Sequence, residues 1–459
     1  VSDASFSQLP LAAAQLENLE SLGYTRMTDI QAAALPPALA GKDLIAQAKT
    51  GSGKTATFTL PLLSKLNPRD FGAQALILCP TRELATQVAA ETRRLARHQP
   101  NVKVVTLCGG QPIGPQIGSL EHGAHIVVGT PGRIKDHLRK ATLDISRINT
   151  LVLDEADRML EMGFLDDISS IIEATPESRQ TLLFSATYPS DIRKMSSRFQ
   201  RAALEVTVVA THDEQHISQK FYICSREKKL ESLNRIIAYH APEAAVIFCN
   251  TKATVRDVTA HLKDHGNRAL ALHGDLEQRD RDQVLVQFTQ QSCRLLVATD
   301  VAARGLDIDD LPAVINYDLP RDPDQYTHRI GRTGRAGKTG LALSLFADNE
   351  RYKLEGIAAD HDREVEFEAV ETLPASGEAL PAPGFVTLCI AGGRKQKVRP
   401  GDILGALTGA GGIDGKAVGK INVMEHVAFV AVQRKLAKPA LQQLQAGKIK
   451  GRKFKVRRL

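Results

Sequence analysis

The chain has 459 residues, 43% hydrophobic and 24% charged, an ordinary globular composition with length for roughly three domains. No apolar run reaches the roughly 20 residues that cross a bilayer. The first residues show no basic-then-apolar leader, and the six cysteines stand singly with no Cys-x-x-Cys pair, which excludes a disulfide framework or zinc-finger reading and fits buried thiols in a reducing cytosol. The formal charge of +7 is unevenly shared: residues 384–459 hold 16 Lys and Arg against 3 Asp and Glu, while residues 1–383 are net acidic by six. So basic a segment behind a mildly acidic body reads as a nucleic-acid anchor.

In chain order, the first informative element is Ala48-Lys49-Thr50-Gly51-Ser52-Gly53-Lys54-Thr55. A glycine-rich turn of this kind lets successive backbone N–H groups face phosphates, with Lys54 reaching the terminal phosphates and the Thr55 hydroxyl able to ligate Mg²⁺. The strict pattern begins with Gly, and Ala48 stands in its place. Short apolar runs then alternate with helical periodicity: Ala75–Cys79, Val102–Val105, Ile126–Val128, Thr150–Leu153 and Thr181–Phe184 read as buried strands, and Glu83–Arg97 as a helix. Such alternation implies a parallel sheet covered by helices on both faces. At the end of one strand comes Asp154-Glu155-Ala156-Asp157, whose first carboxylate suits a metal held through water. Phosphate loop and acidic run together describe a pocket that binds a nucleoside triphosphate with magnesium and attacks it with water.

The pattern pauses near 203–216 and resumes with Ala245–Cys249, Ala269–Leu272, Arg294–Val297 and Ala313–Asn316, a second α/β domain without a phosphate loop. A stretch rich in Pro, Ala and Gly over 370–383 has linker composition. Beyond it, strands at Phe385–Ile390, Ile421–Val423, Phe429–Val432 and Phe454–Val456 and helices at Ile403–Leu407 and Ala440–Leu444 give a β-α-β-β-α-β order, that of the small sheet module that binds single-stranded RNA. Phe429 is the one aromatic on its third strand, so basic side chains are expected to carry more of the binding than base stacking.

These motifs resemble those of the DEAD-box ATP-dependent RNA helicases over roughly residues 1–366, and the basic tail is most similar to that of the bacterial DbpA-type subfamily. The resemblance implies an α/β chain with two tandem RecA-like parallel-sheet domains, 1–208 and 209–369, a linker 370–383 and a small α+β RRM-like domain, 384–459. It implies ATP and Mg²⁺ as ligands, with Phe6, Arg26 and Gln31 at the adenine; Thr50, Gly51, Ser52, Gly53, Lys54 and Thr55 at the phosphates; and Thr55 and Asp154 at the metal. A Gln amide can donate to and accept from one adenine edge, and Phe6 could stack on the ring. Met27 and Asp29 flank Thr28 where the family has prolines. Glu155 would orient and deprotonate the attacking water. Ser185, Thr187 and Asp157 would couple hydrolysis to strand separation. From the second domain, Gly305 and Asp307 would touch ribose and phosphates, and Arg332 and Arg335 the γ-phosphate once the domains close.

The implied RNA track comprises Arg82, Gly110, Thr130 and Arg133 in the first domain and Asn250, Thr251, Thr299 and Asp300 in the second. Gln278 and Arg281 serve either that track or domain closure. The basic module offers Arg394, Lys395, Lys397, Lys448, Lys450, Arg452 and Lys453. The subfamily further implies a cytoplasmic monomer, without membrane contact, acting on a hairpin of 23S ribosomal RNA in the large-subunit precursor. The same motifs also serve an RNA chaperone whose ATPase only times release, or a DNA helicase.

Overall fold

The computed structural model describes residues 4–48, 52–188, 190–208, 217–303, 311–334, 339–360, 365–374, 379–409 and 411–459. The chain divides into two units, one built on residues 1–211 and the other running from 212 to the C-terminus. In the first, β1 (Leu44–Gln47), β2 (Ala75–Leu78), β3 (Val104–Leu107), β4 (Ile126–Gly129), β5 (Thr150–Leu153), β6 (Gln180–Ser185) and β7 (Leu204–Thr207) form one parallel sheet in the order β3-β4-β2-β5-β6-β1-β7. Strands β2, β4, β5 and β6 are buried along their whole length, because helices cover both faces. Two apolar clusters, one on each side, hold them: Phe58, Ile77 and Phe184 lie in one, Leu76, Leu151 and Ile171 in the other.

The second unit repeats this plan. Its strands β8 (Ile217–Ile223), β9 (Ala245–Cys249), β10 (Ala269–Leu272), β11 (Leu295–Thr299), β12 (Ala313–Asn316), β13 (Gly340–Phe346) and β14 (Phe367–Ala369) run parallel in the order β10-β11-β9-β12-β13-β8-β14. Subtracting seven from each number reproduces the first sheet. The pause read near 203–216 hides an edge strand, β7, whose residues are mostly exposed and so carry no apolar signal. β8 and β13 of the second sheet were likewise outside the expected set; β8 interleaves polar and apolar residues, whereas β13 is apolar but for Ser344.

The same unit carries a four-stranded antiparallel sheet, β15 (Phe385–Ile390), β16 (Val418–Val423), β17 (Ala428–Gln433) and β18 (Val456–Arg458), ordered β16-β17-β15-β18. Helices Pro400–Thr408 and Ala437–Ala446 pack on one face around Leu388, Ile403 and Val430. The expected β-α-β-β-α-β order holds.

Two expectations change. The stretch 370–383 is not free linker throughout: Val370 and Leu373 are buried in the core beneath the second parallel sheet, Leu380 packs on it, and Leu380 N–H donates to Asn267 Oδ1 (2.9 Å). Apolar side chains within a Pro/Gly-rich stretch found a surface to bury. Phe429 offers no stacking surface: its ring is 1% exposed and packs with Cys389 against Val286 of the helix Gln278–Thr289. The open face of the small sheet is thus a docking face. Its polar edge is pinned by Gln290, whose Nε2 donates to Asn422 Oδ1 (2.9 Å) and Lys420 O (3.1 Å) while its Oε1 accepts from Thr387 Oγ1 (2.9 Å). Among the described residues no helix is long and apolar enough to cross a membrane, and all six cysteines are buried free thiols.

Candidate nucleotide pocket and nucleic-acid interface

At the mouth of the first sheet, β1 leads through the glycine-rich turn into the helix Lys54–Lys65. Ala48, the departure from the strict pattern, is buried in the core and bonded through its N–H to Ser185 O (3.0 Å), and it needs no positive φ. A methyl group is therefore accommodated there. Gly53 has φ +96° at the N-cap, and a Cβ would run into the Gln31 amide and the Thr28 hydroxyl. Lys54 is buried at the first helical position, and neither its Nζ nor Ser52 Oγ has a hydrogen-bond partner among the described residues. Thr55 beside it is partly exposed. Thr50 and Gly51 lie outside the described residues, as do Gly305, Asp307 and Arg335.

Asp154 follows β5. Its carboxyl is buried, and Oδ1 has no partner among the described residues. Burial pushes its pKa up to about 7, against the pull of the Lys54 ammonium and with a further push from Glu155. Three buried polar atoms (a cation, a hydroxyl and a carboxylate oxygen) are thus left unsatisfied by the described residues, although such groups are nearly always bonded. The set fits a triphosphate with a hard divalent cation, which takes oxygen ligands from one or two carboxylates plus substrate phosphates.

Glu155 turns the chain sharply. It sits at φ 52°, ψ 53°, a left-handed conformation that costs a non-glycine residue about 1–3 kcal/mol, and it caps the helix Ala156–Glu161. Strain of this sort gathers at functional sites. Two residues past the cap, Asp157 is fully engaged. Its Oδ2 accepts from Ala186 N (3.2 Å), Thr187 N (3.0 Å) and Thr187 Oγ1 (3.1 Å), and its Oδ1 from Arg158 N (2.9 Å). Ser185 Oγ accepts from Asp157 N (3.3 Å) and donates to Thr187 O (2.6 Å). The acidic run and the end of β6 are therefore one hydrogen-bonded piece.

Gln31 has a second role that the sequence did not reveal. Its Oε1 accepts from Thr28 N (2.9 Å), completing a capping box for the helix Asp29–Leu39, and its Nε2 donates to Gly53 O (3.2 Å), while Thr28 Oγ1 donates to Ser52 O (2.7 Å). The segment expected to read adenine is tied to the glycine-rich turn. Phe6 is 4% exposed, held edge-to-face against Tyr24 at 6.1 Å, so most of its ring belongs to the core. Arg26 is exposed.

On the expected RNA track, Thr81 and Thr130 stand at the N-caps of helices Arg82–Leu95 and Pro131–Arg139, and Thr251 at that of Lys252–Asp264 in the second unit. Unbonded N–H groups at such ends suit phosphate oxygens. Gly110 has φ +66° with Arg82 beneath it, where a Cβ would collide with the guanidinium. Arg133 Nη2 donates to Gln111 O (3.0 Å), leaving Nη1 without a partner among the described residues. In the second unit, Thr299 Oγ1 accepts from Ala302 N (3.4 Å).

Asn250 and Asp300, in contrast, are consumed internally by Arg329, a residue absent from the expected set. Its guanidinium, 2% exposed, donates to both oxygens of Asp300 (2.6 and 2.7 Å), to Asn250 Oδ1 (2.9 Å), Asn316 Oδ1 (3.2 Å) and Asp318 O (2.6 Å). Arg332 lies one turn on, its carbonyl accepting from Leu311 N (3.0 Å). The available signal for Arg329 was its place in the helix Pro323–Ile330, three residues before Arg332, on a buried face. In the small module, Lys450 Nζ donates to Lys397 O (3.1 Å). This joins the loops bearing Arg394, Lys395 and Lys397 and Lys448, Lys450, Arg452 and Lys453 into one exposed basic patch.

Three family descriptions match the chain: DEAD/DEAH box helicase over residues 28–195, helicase conserved C-terminal domain over 228–337, and DbpA RNA binding domain over 387–458. The ATP-dependent RNA helicase DbpA of Escherichia coli (strain K12) is 53% identical, the match covering 98% of each chain. The DEAD-box ATP-dependent RNA helicase CshA of Bacillus subtilis (strain 168) is 42% identical, over 84% of this chain and 77% of that one. Among solved structures, S. cerevisiae Dbp5 bound to RNA and ADP BeF3 is similar at a TM-score of 0.73 and 32% identity, over 80% of this chain and 96% of that one.

Proposed function

The chain belongs to the DEAD-box ATP-dependent RNA helicases, and from that premise we propose that it is an ATP-gated clamp that opens short RNA duplexes locally, directed to a hairpin of 23S ribosomal RNA during large-subunit assembly. The observation that carries this reading is the unsatisfied trio of Ser52, Lys54 and Asp154, bonded by no described neighbour and placed beside a strained Glu155. Thr55 and Asp154 would hold Mg²⁺, which when bound spreads the charge of the transferring phosphoryl group. Lys54 binds the terminal phosphates, and Glu155 orients the water and takes its proton. Arg332 and Arg335 complete the charge stabilisation when RNA draws the arginine-bearing unit onto the nucleotide, so turnover depends on RNA. Asp157, through Ser185 and Thr187, passes the state of the nucleotide to the strand that leaves the pocket.

The address lies in the basic module. Its sheet face is occupied by docking, so we assign hairpin recognition to the patch of Lys395, Lys397, Lys450 and Arg452, with the remaining basic residues of the two loops. The acting form is taken to be a cytoplasmic monomer. The test is the ATPase rate of the full chain with a 23S fragment containing the hairpin, an unrelated RNA of equal length and DNA of the same sequence, together with strand displacement on a short duplex. Strong, fragment-selective stimulation and displacement are expected. Hydrolysis at full speed without polynucleotide would remove the clamp, and stimulation without displacement would make the chain a timed binder.

A further inference from the structure

The contact between the small sheet and the helix Gln278–Thr289 has an apolar centre and well-bonded polar pins, yet part of its rim carries the same sign of charge on both sides. An open cleft there is lined by Arg268 and Arg294 of the second parallel sheet and by the segment Leu380–Pro383. From the small module, Arg434 reaches the same segment, its Nε donating to Pro383 O (2.5 Å) and its Nη2 to Phe385 O (3.3 Å). Pro383 lines that cleft, so its bond to Arg434 brings the guanidinium to the cleft that holds Arg268 and Arg294; burial first, then Arg268, keeps it below its usual range. Among the described residues none of these three arginines is paired with a carboxylate.

Like charges facing across a docked seam oppose docking, and a half-buried arginine in such a cluster is not simply a solvated surface. A guanidinium is a rigid fork matched to phosphate oxygens, so a polyanion laid along the seam would turn the repulsion into a bridge. The seam is also distinct from the basic patch. Phe385 pairs with Gln433 at one end of β15, beside Arg434, whereas Arg394–Lys397 follow Ile390 at the other. Six strand residues, roughly 17–20 Å, separate the ends.

We propose that Arg268, Arg294 and Arg434 form a second RNA-backbone site, which takes phosphates of the RNA anchored at the Lys395–Lys450 patch and so braces the small module against the second parallel-sheet domain. The proposal rests on the chain being an RNA binder. The test titrates the full chain and its Arg268→Glu/Arg294→Glu variant with the same 23S fragment from 50 to 200 mM salt. Amide hydrogen exchange over residues 380–386 is followed with and without RNA. In the variant, affinity at the lowest salt should fall about tenfold or more, and the slope of log K against log salt should shrink by about 1–2, one or two phosphate contacts at roughly 0.7–0.9 each. RNA should slow exchange over 380–386 in the unaltered chain and not in the variant. An unchanged slope and unchanged protection overturn the site. Equal protection by inorganic phosphate or by an acidic peptide overturns its assignment to RNA. Failure of the unaltered chain to bind RNA overturns the parent reading as well, and is read separately.

Discussion

The two parallel sheets share one strand order, yet the lysines that open equivalent helices meet opposite fates. Lys54 follows β1 and Lys229 follows β8, strands in the same place in their sheets, and both side chains are buried. Lys54 Nζ has no partner among the described residues, and the acid after β5, Asp154, keeps an oxygen unbonded. Lys229 Nζ is held by Glu350 (3.0 Å) and Asp318 (3.3 Å), the latter just beyond β12, the counterpart of β5. One topology thus leaves charges without a described partner in one unit and closes them into a structural knot in the other. The difference is carried by the loop: glycine-rich before Lys54, and Cys224-Ser225-Arg226-Glu227-Lys228, without glycine, before Lys229.

The largest expected effect tests what the second unit contributes without a pocket of its own. Arg332→Ala should lower RNA-stimulated turnover by about 10³–10⁵, the range for arginine fingers, while nucleotide binding persists; a loss below tenfold would put Arg332 outside the reaction. Glu155→Gln should cost about 10²–10⁴ in turnover, as for a general base, with ATP and RNA both still bound in equilibrium titrations. The lysines give the sharpest contrast. Lys229→Met removes the shared cation of two part-buried carboxylates, of which Glu350 keeps Lys353 (2.7 Å) and Asp318 keeps Asn250 N (3.0 Å), and should destabilise the second unit by about 1–3 kcal/mol, seen as an early transition in denaturant. Lys54→Met removes a buried cation with no hydrogen-bond partner among the described residues and should leave the melting temperature of the ligand-free chain equal or higher while ATP binding is lost; equal destabilisation by both would erase the distinction. Thr187→Ala is the smallest change. It removes one of three bonds to Asp157 Oδ2, worth about 0.5–1.5 kcal/mol, and should reduce displacement more than ATP hydrolysis.

The phosphate loop, the acidic run and the Ser185–Thr187 segment were legible because each is a contiguous turn whose chemistry depends on residue types at fixed spacing. The central strands were legible because burial on both faces makes them continuously apolar. What escaped was set by partners distant along the chain. Arg329 meets Asn250 across 79 positions and so withdraws Asn250 and Asp300 from the expected RNA track. Gln31 closes on Gly53, Thr387 meets Gln290 across 97 positions, and Phe429 is covered by Val286. A lone aromatic on a strand looks the same in sequence whether its face meets a base or a helix.

The order of residues alone determined the family, the parallel α/β plan and the basic charge of the last module, since turn chemistry, hydrophobic period and composition are local properties. Tertiary structure alone decided which buried charges are left for a ligand and which are cancelled by protein, and which face of the small sheet remains open. Those outcomes depend on which distant side chain comes within about 3 Å, a distance at which a hydrogen bond forms, and linear spacing carries no information about that.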